Sequence, residues 1–144
     1  MIEQDTIRLL RECDAGVKMG VSSIDEVLEY VKSDSLKKTL ADCKTAHKKL
    51  ETEIDESLNR FGDEGKEPNP IAKGMSWMKT NIKLIMQESD HTIADLITDG
   101  CDMGVKSLSK YLNQYGAADE GSKDIAKRLI ELEERLGKDV RSYL

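Results

Sequence analysis

The sequence predicts an all-α protein built as two antiparallel helical hairpins, A–B and C–D, joined by an extra crossover helix. Three observations lead there. Apolar residues recur at steps of three and four along nearly the whole chain, and no segment alternates with the period of two that a strand needs. Glycine and proline mark few breaks, so the helices are long. A hexapeptide of the first half recurs in the second, so the two hairpins share one plan. With 144 residues, 38% hydrophobic and 35% charged, the chain suffices for one domain with one core.

Helix A is expected over about 5–32, on the stripe Leu10, Cys13, Val17, Val21, Ile24, Leu28 and Val31. Lys32-Ser33-Asp34-Ser35 interrupts it and offers side-chain oxygens to cap helix B, expected over about 35–61 on Leu36, Leu40, Cys43, His47, Leu50, Ile54, Leu58 and Phe61. Both prolines, Pro68 and Pro70, fall in the clearest loop, Phe61 to Pro70. The crossover helix, about 70–87, carries Ile71, Met75, Met78, Ile82 and Ile85. A helix running unbroken from Pro70 to Tyr115 would reach roughly 65–70 Å, too long for this chain, so the break falls at Gln87-Glu88-Ser89-Asp90. Helix C then covers about 90–115, and helix D about 122–143 on Ile125, Leu129, Leu132, Leu136, Val140 and Tyr143.

The repeat is Cys13-Asp14-Ala15-Gly16-Val17-Lys18 against Cys101-Asp102-Met103-Gly104-Val105-Lys106. Allowing one inserted residue, His47 of helix B falls on Leu136 of helix D, a core position. Two hairpins connected by one long crossover is ferritin-like connectivity. The order of elements, with Asp14-Ala15-Gly16-Val17, Gly74-Met75-Ser76-Trp77-Met78-Lys79 and Cys101-Asp102-Met103-Gly104, resembles an uncharacterised bacterial family of small ferritin-like, rubrerythrin-related four-helix bundles. The likeness spans roughly residues 5–144. Ferritin-like proteins with chemistry hold two irons, so the resemblance brings a di-iron oxidoreductase or a metal-storage protein into view as the alternative function.

The residues argue for a different outcome. A di-iron site needs a Glu from each of two helices and Glu-x-x-His from each of the other two. The chain has only two histidines, His47 and His91. Glu88-Ser89-Asp90-His91 has the spacing but sits at a helix junction. Asp42-Cys43-Lys44-Thr45 and Glu131-Leu132-Glu133-Glu134 lack the imidazole. At 100° per residue Asp42, Glu131 and Asp102 point away from their stripes, and only Asp14 flanks one. Inward acids are costly to bury without a cation, so no metal centre and no cofactor is expected. The inward row Cys43, His47 and Glu51 at i, i+4 and i+8 could offer S, N and O donors to zinc. Asp14, Cys43, His47 and Glu51 are therefore the metal candidates. The simpler reading makes His47 a neutral core imidazole with one hydrogen-bond partner, Cys43 a small buried thiol, and Glu51 an edge residue in water.

Cys13 and Cys43 are expected some 15 Å apart along the hairpin, too far for a disulfide. Cys13 and Cys101 meet only if both lie near the pseudo-twofold axis; the expectation is small core residues. Met75, Trp77 and Met78 offer an adaptable face for a protein partner. A net charge of −6 and 4% aromatics argue against a nucleic-acid binder. No apolar run could span a bilayer, no signal-peptide profile opens the chain, and the sparse cysteines suit the cytoplasm. Glycine-rich nucleotide loops are missing. The expected function is a metal-free binding or structural module, not an enzyme, assembled as a homodimer through an isologous apolar patch.

Overall fold

A computed structural model describes residues 2–66 and 89–144. These form four long α-helices, α1 (Ile2–Leu28), α2 (Asp34–Arg60), α3 (Ser89–Gln114) and α4 (Glu120–Asp139), followed by a 3₁₀ turn at Arg141–Tyr143. No strand occurs among the described residues. The region expected to hold the crossover helix, with Met75, Trp77 and Met78, lies outside them.

The helix ends show how the bundle is closed. Helix α1 stops at Leu28, four residues short of the expected end. Tyr30 N–H turns to Val27 O (3.0 Å) and Val31 N–H to Leu28 O (3.3 Å). The next two amides, of Lys32 and Ser33, then donate to the two carboxylate oxygens of Asp90 at 2.8 and 3.0 Å. A tertiary acceptor thus takes the amides that would have continued the helix. Ser33 caps α2 as expected, accepting from Leu36 N–H at 3.2 Å. Helix α4 is capped by Asp119: its side chain accepts from Ser122 N–H at 2.8 Å, and the Ser122 hydroxyl donates back to Asp119 O. This starts the helix two residues early.

These bonds also fix direction. Asp90 places the start of α3 beside the α1–α2 turn. At the other end Ala117 N–H reaches Asp5 Oδ2 (3.1 Å) and Asp119 N–H reaches Thr6 Oγ1 (2.8 Å), so the α3–α4 turn meets the start of α1. Helices α2 and α3 therefore run the same way, flanked by α1 and α4 running the other way. The chain leaves α2 at one end of the bundle and enters α3 at the opposite end, roughly 40 Å away for helices of this length.

The core has two halves. Ile24, Val27, Leu36, Leu40, Ile93, Ile97, Cys101, Leu136 and Val140 fill the half near the α1–α2 turn. Leu9, Leu10, Cys13, Val17, Ile54, Leu58, Leu108, Ile125 and Leu129 fill the other. Each fully buried Leu or Ile contributes about 1.5–3 kcal/mol, the main term holding the helices together. Cys13 and Cys101 lie in different halves, and all three cysteines are free. No helix among the described residues is long and apolar enough to cross a membrane.

Candidate functional site

Between the two halves, the interior holds charge. His47 of α2 is fully buried, and its Nε2 lies 3.0 Å from Glu133 Oε1 of α4. Its Nδ1 lies 2.9 Å from the backbone carbonyl of Cys43 and 3.4 Å from Cys43 Sγ. A carbonyl oxygen only accepts, so Nδ1 carries a proton. A carboxylate oxygen facing Nε2 asks for a second. Burial opposes the resulting charge, but the hydrogen bonds to Cys43 and Glu133 and the negative charge of Glu133 outweigh it. The imidazole rises from its ordinary 6.5 to about 10. His47 is thus a core residue, as expected, but charged and with partners at both nitrogens; the expected neutral ring with one partner is corrected. Gly20 of α1 makes the room, since a Cβ there would sit 2.9 Å from His47 Cδ2 and Nε2.

A second buried carboxylate, Asp14, is fully enclosed where only a flanking position was expected. Its Oδ2 accepts from Lys18 Nζ (2.9 Å) and Lys66 N–H (3.0 Å), while Oδ1 is shut off from water without a hydrogen-bond partner. The loop over it requires Gly65, whose φ is +88° and whose Cβ would fall 2.3 Å from Asp14 Oδ2. The negative charge shows in its neighbours. Asp55 is raised by burial and then by Asp14. Burial, with Glu12 and Asp14 adding to it, pushes the Cys13 thiol up to about 12. Burial and then Glu133 raise Cys101 strongly as well.

The outward acids fall where the wheel put them: Asp42, Asp102 and Glu131 are exposed. Glu133 escaped the sequence reading. The spacings 129, 132, 136 and 129, 133, 136 are equally helical, and choosing the leucine hid the acid. Leu132 is half-buried and Glu133 retains 9% exposure. A polar residue facing the buried His47 across the repeat was the signal available. Of the metal candidates, Cys43 and His47 come together, Glu51 sits half-buried a turn away, and Asp14 belongs to the other half of the core.

Among the described residues, the candidate donors do not suit the two irons that the resemblance implies. Cys43 and Glu133 lie against opposite edges of one imidazole, so they cannot share an ion through it, and Asp14 is held by Lys18. Among the described residues no group of three or more His, Cys, Asp or Glu side chains is arranged to hold a metal ion.

One face of the His47–Glu133 pair borders a cavity of about 480 Å³ between α1 and α3. Its walls are kept back by small residues, Ala15, Gly16 and Gly20 on α1 and Gly100, Gly104 and Ser107 on α3. Ile24, Leu96, Ile97 and Leu108 make it largely apolar, while Glu12, Lys66 and Tyr111 stand toward the end where α1 begins. Glu12 and Lys66 form an ion pair there. Comparison of the chain with protein-family models, curated proteins and solved structures returned no match.

Proposed function

We propose that this chain is a ferritin-like bundle serving as a metal-free binding module, which receives an elongated apolar group between α1 and α3. The helix directions, with α2 and α3 parallel and one connection joining opposite ends, support the ferritin-like part. The observation that carries the binding part is the cavity itself. A space of about 480 Å³, mainly apolar with a few convergent polar groups, has the size and make-up of a ligand site. Apolar contacts along the walls supply affinity, and the ion pair on the floor makes an unpartnered polar group costly to seat beside it. The charged midsection takes the place where a metal-bearing bundle would hold its ligands. A homodimer in the cytoplasm, with Met75, Trp77 and Met78 as a second contact face, completes the proposal.

Gly100 provides the test. It lines the cavity, is exposed, and a Cβ added there meets nothing within 4 Å. Gly100→Leu should keep the fold, gain about 1 kcal/mol of helix propensity, and obstruct the space. Titration with anilinonaphthalene sulfonate should show one saturable site in the natural chain and none in Gly100→Leu. Equal binding by both chains, or by neither, contradicts the reading.

A further inference from the structure

Three side chains from two helices stand in a row: Cys43 Sγ, His47 Nδ1 and Nε2, and Glu133 Oε1, at successive distances of 3.4 and 3.0 Å. This is a nucleophile, a positioned imidazole and a carboxylate that fixes the imidazole's orientation. Cys43 is half-buried, the least enclosed of the three cysteines. Cys13 and Cys101 are closed in the core.

We propose that Cys43 is a nucleophilic thiol, activated by the His47–Glu133 pair, and that it is the site of mixed-disulfide modification by low-molecular-weight disulfides. The thiolate is the attacking form, and the imidazolium, whose Nδ1–H donates to the Cys43 carbonyl at 2.9 Å, sets its positive charge 3.4 Å from the sulfur. Glu133, held on the far nitrogen, keeps the ring in its charged form and in register with the sulfur. In the reaction Cys43 Sγ releases its proton to water and attacks one sulfur of the disulfide. The new S–S bond forms as the old one breaks. The departing sulfur leaves with the electron pair and takes a proton from water. Cys43 is oxidised to the mixed disulfide, the leaving half is reduced to a thiol, and His47 keeps its proton. Glu133 acts through His47 and is a positioning residue.

The natural chain tests this directly. Glutathione disulfide is added at neutral pH to the folded chain and to the chain in urea, with free cysteine under both conditions correcting for solvent. Peptide mapping then follows each cysteine. A merely accessible thiol reacts more slowly when folded. An activated one reacts faster, by about tenfold, and Cys43 should do so while Cys13 and Cys101 stay unmodified in the fold. His47→Gln should remove that advantage at Cys43. Loss of folding in this variant announces itself, because it would open Cys13 and Cys101 to the reagent; Glu133→Gln then serves as the second variant. A folded rate at Cys43 no higher than the unfolded one overturns the proposal, as does a His47→Gln chain that stays folded and reacts as fast as the natural one.

Discussion

The two copies of the repeated hexapeptide fold alike and end differently. In both, the cysteine is buried, Cys13 in one half of the core and Cys101 in the other. The following aspartates part company: Asp14 is fully enclosed, whereas Asp102 is exposed. Helix α1 has a loop folded over it, so Lys18 and the Lys66 amide answer Asp14 from within. In the other copy the buried negative charge comes from a different helix, with Glu133 facing Gly104 and bonded to His47. A short repeat therefore sets the phase of each helix. What each flank meets is decided by the elements packed on it.

The largest expected effect is at the second copy. Glu133→Ala would leave an imidazolium buried without its carboxylate, which should cost about 3–5 kcal/mol in urea unfolding. Replacing both partners, as in His47→Leu with Glu133→Leu, should recover much of that loss. The same pair gives a pH signature. The folded imidazole lies above its unfolded value, so its contribution is complete below 6.5 and is lost as the pH rises through about 10. The urea midpoint should therefore fall as the pH rises from 6.5 in the natural chain, and fall less in a folded Glu133→Ala chain below the range near 9 where the Cys13 and Cys101 thiols ionise on unfolding.

Smaller effects are expected at the first copy. Asp14→Ala removes the acceptor of the Lys66 amide and of Lys18, at about 1.5–3 kcal/mol. Gly65→Ala should cost about 1–2 kcal/mol from its positive φ alone, with the close approach to Asp14 adding to it. Because the two residues touch, Gly65→Ala should cost less in an Asp14→Ala background, a coupling that a double-mutant cycle reads. The smallest change is Asp102→Ala, within about 0.5 kcal/mol. Equal costs for Asp14→Ala and Asp102→Ala would break the comparison.

Much of the fold is legible in the sequence, because burying an apolar stripe of period 3.6 dictates long helices and their phase. The spans of α2 and α3 were readable to within a residue at each end. The end of α1 was not, because Asp90 claims the Lys32 and Ser33 amides from 58 and 57 residues away, whereas the start of α4 rests on a local cap, Asp119, within a run that offers several capping side chains. The buried position of His47 was readable from the repeat. Its charge was not, since that depends on Glu133, 86 residues away and chosen between two equally helical registers. Asp14 sits four residues after Leu10 and three before Val17, which places it at the flank of the stripe, and the Gly65 loop that encloses it is a tertiary feature.

The central claim is that a protonated His47 and an ionised Glu133 occupy the middle of the bundle. Nitrogen NMR of the two histidine rings between pH 6 and 9 tests it, with the exposed His91 as the internal reference. Protons on both nitrogens of the His47 ring throughout that range are the predicted result. A His47 ring that is neutral at pH 7 would contradict the account.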